Sequence, residues 1–349
     1  MDLNSAAFML LAGLLATYLV LDGFDLGVGV LSLLARSKRE RDLYIASVGP
    51  CWDGNEVWLL TSGNVLFAAF PAAFGALLSG FYGGVVLALF GIVARGVAIE
   101  FRSMHPSVRW LASWDLAFGG GSLLVVLLLG LVAGNVLRGV PIGPDFAWQG
   151  SFVGLLNPYA LLFGVASCSF FVMHGALYLR GKTAGELRGR LGRIALRSHA
   201  AFLVLYAVTA AATLWAAPSL FRKAGTPLFW AMAALLAAAL AAIPLATRAG
   251  RTRTAFAASS ATIALLAAST AHAAYPVLLP SSLGAHLSLT IYNAASKPST
   301  LLAMLVVAAA GLPIVVGYTI FMYRIFSGPV RVEHEPLAGQ EAAGEHAAA

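Results

Sequence analysis

The chain has 349 residues, 60% of them hydrophobic and 11% charged, with a mean hydropathy of +0.84. A soluble domain carries about 25% charged residues, so the composition excludes a soluble enzyme and marks a polytopic membrane protein. The net charge of +7 does not indicate nucleic-acid binding, because the basic residues fall in short gaps between apolar runs, where orientation signals belong.

A membrane span needs about 20 apolar residues. The sequence predicts nine, at 6–35, 52–70, 74–98, 114–137, 156–179, 199–217, 228–246, 255–275 and 299–324. The start, Met1-Asp2-Leu3-Asn4, lacks a basic n-region, so the first run is expected to be a retained span rather than a signal peptide. Span one runs long, through Asp22-Gly23-Phe24-Asp25-Leu26-Gly27-Val28-Gly29. Asp22 and Asp25 share a helix face, and Gly23-x-x-x-Gly27 is the small-residue spacing of close helix packing.

Residues 36–50 read as a basic, partly amphipathic connector. Gly49-Pro50-Cys51-Trp52-Asp53-Gly54-Asn55-Glu56-Val57-Trp58-Leu59 then opens span two. Two carboxylates within one turn at membrane depth cost roughly 2.5–3.5 kcal/mol each, so Asp53 and Glu56 point to protons, a cation or a buried pairing. Span three carries Arg95 and Glu100. Arg95 either snorkels to the nearby interface or pairs with an acid of span one or two. Together Asp22, Asp25, Arg95 and Glu100 form a predicted intramembrane polar cluster beside Asp53, Asn55 and Glu56. The bland reading of the same acids is that they pin helices together.

The 138–155 segment, with Asp145 and Trp148, reads as an ordered surface loop. Span five ends in Phe170-Phe171-Val172-Met173-His174-Gly175, which aligns with Tyr18-Leu19-Val20-Leu21-Asp22-Gly23 at an offset of 152 residues. This suggests two related four-helix halves and one extra helix. Spans six to eight are Ala-rich. The expected divisions are 1–137 and 138–275 as two four-helix bundles, 276–326 as an outer loop and ninth helix, and 327–349 as a disordered cytoplasmic tail.

Nine spans can be tested against charge. With the N-terminus outside, seventeen of the 22 Lys and Arg residues fall in inner segments and four in outer ones, which predicts N-out, C-in and puts Asp53 near the cytoplasmic face. Cys51 and Cys168 form no CxxC and read as small buried residues. His174 and His272 are the intramembrane histidines, and two such residues on separate helices can ligate a haem. A lone buried histidine is more often a hydrogen-bonded packing residue. There is no metal-ligand spacing, nucleotide loop or nucleophile elbow. From the residues alone, an acid cluster in spans one to three also fits a proton- or cation-coupled secondary transporter.

The Leu21–Gly29 run, the Trp-Asp-Gly-Asn-Glu-Val-Trp motif at 52–58, the span from Phe81 to Arg102 and Asn293-Ala294-Ala295-Ser296-Lys297-Pro298-Ser299-Thr300-Leu301 together resemble subunit II of cytochrome bd-type quinol oxidases, over about residues 6–326. The resemblance implies an all-α subunit of nine transmembrane helices, built as two four-helix bundles and one peripheral helix, in the bacterial cytoplasmic membrane. It implies a heterodimer with a subunit I that carries haem b and haem d and the quinol site. The complex oxidises quinol and reduces O2 to water with protons drawn from the cytoplasm. The resemblance also admits a small single-helix subunit and a structural quinone, alongside membrane lipid. It assigns proton entry to Asp53, and Asn55 and Glu56 are then expected to support Asp53 by hydrogen bond or water.

Overall fold

The computed structural model describes residues 2–330, and apolar runs rich in strong helix formers are helical throughout. In chain order the helices are α1 (Leu3–Ser32), α2 (Lys38–Val48), α3 (Trp52–Ala69), α4 (Pro71–Gly80), α5 (Tyr82–Phe101), α6 (Val108–Arg138), the single turn α7 (Phe152–Leu155), α8 (Pro158–Lys182), α9 (Gly185–Ala216), α10 (Pro227–Arg248), α11 (Thr252–Ala274) and α12 (Pro298–Ile325). Short polar caps start them: Asp2 Oδ1 accepts from Ser5 N–H at 2.7 Å, and Asn157 Oδ1 from Ala160 N–H at 3.0 Å. Proline opens α4, α8, α10 and α12, where its missing N–H costs nothing.

Among the described residues, eight helices are long and apolar enough to cross a membrane: α1, α5, α6, α8, α9, α10, α11 and α12. The expected second span, α3, is an 18-residue helix outside that set. Its polar residues lower its hydropathy, and several of them point into the protein: Asn55, Glu56 and Ser62 are buried. The expected third span is also not one helix. It is interrupted at Phe81, where φ is −98° and ψ 17°, beside Trp148 of the 138–155 loop, whose ring lies 5.7 Å from that of Phe81. A Cβ on Gly80 would meet the Trp148 indole at 2.1 Å, so glycine makes the room this loop needs.

Helices α6 and α9 begin earlier than the apolar runs suggested. Arginine is a good helix former, and the Arg-rich stretch of α9 turns Leu191 and Ala195 fully inward. The connector at 36–50 is α2, held across one end of the bundle. Arg102 donates to Asp42 and Asp115, each at 2.6 Å. Tyr44 donates to Glu40 at 2.6 Å, Glu40 also pairs with Arg190, and Tyr178 donates to Ser47 O at 2.7 Å. Burial pushes the Tyr44 phenol up to about 12. This is the basic end of the molecule. The opposite, loop end is covered by the 138–155 loop and a small antiparallel pair, β1 (Val277–Leu279) and β2 (Leu289–Thr290).

Helix α1 is the hub, packing on α3, α6, α8, α11 and α12. It meets α8 backbone to backbone: a Cβ on Gly27 would lie 1.8 Å from Phe171 O. Of the expected tail, residues 327–330 return to α8, with Val330 N–H donating to Lys182 O at 2.9 Å. The remainder lies outside the described residues.

Candidate functional site

Three helices deliver one buried charge cluster. Asp22 comes from the middle of α1, Glu56 from the first turns of α3 and Arg95 from the last turns of α5. The Trp52 ring of α3 lies against Gly96 of α5, where a Cβ would meet it at 2.8 Å. Arg95 Nη2 pairs with Asp22 Oδ1, and also with Glu56 Oε2 at 3.2 Å. Asp22 is 0% and Arg95 1% exposed. The choice left open for Arg95 is thereby decided. It is a buried partner, because two carboxylates on neighbouring helices offset the cost of keeping its charge out of water.

A second network lies one turn along α1. Asn55 Nδ2 donates to Asp25 Oδ2 at 2.7 Å, and Tyr323 from α12 donates to Asn55 Oδ1 at 2.9 Å. In both networks some atoms are buried without a partner among the described residues: Tyr18 OH, Asp22 Oδ2, Asp25 Oδ1, Glu56 Oε1, Trp58 Nε1 and Arg95 Nε. Most buried polar atoms are satisfied. The acid oxygens of Asp22, Asp25 and Glu56 thus stand out as buried atoms that the described residues leave unpaired.

Two expected members stand elsewhere. Glu100 is exposed at the basic end of α5 and makes no ion pair with the described residues. It lies a turn and a half beyond Arg95, past the buried stretch. Asp53 is also exposed, in the first turn of α3, where the helix dipole favours a carboxylate. Asn55 and Glu56 were expected to hold Asp53. Instead they turn inward to Asp25 and Arg95, since residues two and three along a helix point up to 160° away.

His174 and His272 do not come together as a cofactor site. His174 is fully buried, with Nδ1 2.7 Å from Ser259 Oγ and Nε2 3.1 Å from Val20 O, and its ring stacks on Phe256 at 4.7 Å. Both ring nitrogens are engaged, which leaves no lone pair for iron. His272 sits thirteen residues beyond Ser259 on α11, about 20 Å along the helix, too far to share one iron with His174. His174 and His272 therefore do not fit an axial haem pair. Cys51 and Cys168 are free thiols, and burial pushes Cys51 up to about 11, consistent with an inert packing residue.

Sequence reasoning missed Tyr18 and Tyr323. Tyr323 stands at a span end, where tyrosines are ordinarily interface anchors, and Tyr18 stands mid-span, where an aromatic reads as packing; nothing in their spacing marked either as a partner of the acids.

Comparison with known proteins gives a consistent answer. The family model for cytochrome bd terminal oxidase subunit II matches residues 3–326. Cytochrome bd-I ubiquinol oxidase subunit 2 of Escherichia coli (strain K12) is 34% identical, over 93% of this chain and 94% of that one. Cytochrome bd ubiquinol oxidase subunit 2 of Bacillus subtilis (strain 168) is 32% identical, over 96% and 99%. The bd oxidase structure from Geobacillus thermodenitrificans superimposes with a TM-score of 0.74 at 18% identity, covering 93% of this chain and 99% of that one, which shows a shared fold. A chain with these matches over nearly its whole length belongs to the cytochrome bd terminal oxidase subunit II family.

Proposed function

We propose that this chain, bound to a haem-carrying subunit I, supplies the proton-entry path of a quinol-oxidising, O2-reducing complex in the bacterial cytoplasmic membrane, and helps subunit I retain its haems. Membership of the family makes the chain a component of a quinol:O2 oxidoreductase and sets aside the transporter alternative. Haem b and haem d belong to the partner, where they supply electron transfer and O2 chemistry. The engaged nitrogens of His174 support that division.

One observation carries the proton reading. Asp53 is exposed at the basic end of α3, and Glu56, three residues on, is buried against Arg95 and Asp22. A proton taken up at Asp53 is one helical turn from an interior of carboxyl oxygens. The concentration of Lys and Arg at that end supports placing it in the cytoplasm, with the N-terminus outside. The subunit then has nine spans. Helices α1, α3, α5 and α6 form one four-helix bundle, α8 to α11 the second, and α12 lies against α1 and α3. An apolar groove of about 440 Å³ between α1, α3 and α12, lined in part by Leu14, Leu21, Trp58 and Leu312, would take the chain of a structural quinone.

The test is purification from native membranes through a tag on this chain. Dithionite-reduced b and d bands on a co-purifying second polypeptide are expected; a colourless protein without a partner overturns the reading. In that complex, Asp53→Asn is expected to slow turnover about a hundredfold, the lower end of what a lost proton-transfer group costs, with haem content unchanged. Unchanged turnover and proton uptake would remove Asp53 from the path.

A further inference from the structure

We propose that Tyr323 is a positioning residue of the proton path: from α12 its hydroxyl fixes the Asn55 amide, which in turn holds the Asp25 carboxyl. This rests on the reading that protons cross this subunit, and it gives a working part to a helix otherwise peripheral.

The amide orientation follows from its surroundings. On one side Asn55 faces Asp25 Oδ2 at 2.7 Å and Leu21 O at 3.4 Å. Both are acceptors, so the NH2 group must lie there. The amide oxygen is left facing Tyr323, whose hydroxyl donates at 2.9 Å. Asn55 is 1% and Asp25 2% exposed, so water competes for neither. Arg95 is committed to Asp22 and Glu56. Asp25 has no ion pair with a described residue, and its Oδ1 has no hydrogen-bond partner among them.

A buried carboxyl whose only side-chain partner is a neutral amide depends on which end of that amide it meets. With Tyr323 present, the donor end is locked toward Oδ2. Asp25 then takes up or releases a proton at Oδ1 while Oδ2 stays bonded, and no other bond is made or broken. Without the hydroxyl, the amide loses its anchor and can turn its oxygen toward Oδ2, where it repels an ionised carboxylate. The Tyr323 ring is held separately, edge-on to Phe24 at 6.2 Å, so phenylalanine at this position removes the hydroxyl and keeps the packing.

The experiment compares Tyr323→Phe, Asn55→Leu, the double variant and Asp53→Asn in the assembled oxidase, measuring haem content, quinol KM and turnover. Tyr323→Phe is expected to lower kcat about fivefold, the factor one hydrogen bond of ordinary strength carries, with KM and haem content unchanged. Because Tyr323 acts only through Asn55, the double variant should be no slower than Asn55→Leu alone. A merely structural tyrosine would lower haem content, or add its effect to that of Asn55→Leu. Wild-type turnover in Tyr323→Phe, or additive losses, overturns the positioning role. If Asp53→Asn is slow in that case, the proton-path reading survives the loss. If Asp53→Asn is normal while the Tyr323 and Asn55 effects are large and non-additive, the positioning role stands and the entry point is elsewhere.

Discussion

Arg95→Leu is expected to prevent accumulation of the assembled protein. The substitution removes the one cation shared by Asp22 and Glu56 and leaves two carboxylates facing each other inside the bundle. Breaking a buried pair by deleting one partner costs about 3–5 kcal/mol, against a total stability of roughly 5–15 kcal/mol. The loss falls on the contact of α1, α3 and α5, so the first bundle should open there. Yield, melting temperature in detergent and haem per polypeptide all report it. The companion is the neutral triple variant Asp22→Asn, Glu56→Gln, Arg95→Met. Removing every charge together is far less costly than stranding two of them, so the triple variant should accumulate and melt well above Arg95→Leu, although its turnover should be low. Asp22→Asn alone leaves Arg95 with Glu56 and should lower assembly less than Arg95→Leu. An Arg95→Leu protein that accumulates and melts like the parent would show that the cluster does not hold the helices together.

Gly27→Ala should be the most damaging single methyl in α1. The added carbon would lie 1.8 Å from Phe171 O and 3.0 Å from Gly175 N. Both are backbone atoms of α8, so no side chain can rotate away and the two helices must part. Overpacking of this kind costs about 1–3 kcal/mol, and a backbone collision at the hub helix belongs at the upper end. The same helix supplies graded controls. At Gly23 the nearest atoms to a Cβ belong to the Phe171 ring, at 2.7 Å, which can tilt, so Gly23→Ala should cost less. At Gly13 nothing lies within 4 Å, and Gly13→Ala should be neutral or gain up to about 1 kcal/mol from helix propensity. Melting temperatures of the three variants should fall in the order Gly13, Gly23, Gly27; a Gly27→Ala protein as stable as the parent would mean that α1 and α8 are not in backbone contact.

The sequence carried much of this architecture. Apolar runs located all the long helices, because a span must satisfy its own backbone and therefore shows its length directly. It did not show that Asn55, Glu56 and Ser62 of α3 are buried, or that Trp148 sits at the interruption between α4 and α5. Both depend on a neighbour distant in the chain. For the site, intramembrane acids are conspicuous because they are costly, so Asp22, Asp25, Glu56 and Arg95 could be picked out one by one. Their partners could not. Helical spacing put Asp53 and Glu56 on one face, yet Asp53 is exposed and Glu56 buried, because the boundary between protein and surroundings cuts across α3 between them. Glu100 looked equivalent to Arg95 and is not, since five further residues carry it out of the bundle.

By itself, the sequence determined that this chain lives in a membrane, where its helices run, which end of them is basic, and which charged residues are too costly to be incidental. These are one-dimensional properties, set by hydropathy, charge and the length of a helix that must cross about 30 Å of hydrocarbon. Only the tertiary structure decided that Arg95 bridges Asp22 and Glu56, that Asn55 serves Asp25 instead of Asp53, that His174 is spent on Ser259 and Val20, and that Tyr323 reaches in from α12. Each of these pairings joins residues 30 to 268 positions apart. Such contacts are fixed by how closely helices approach, at glycines such as Gly27, and that approach leaves no periodic mark in the chain.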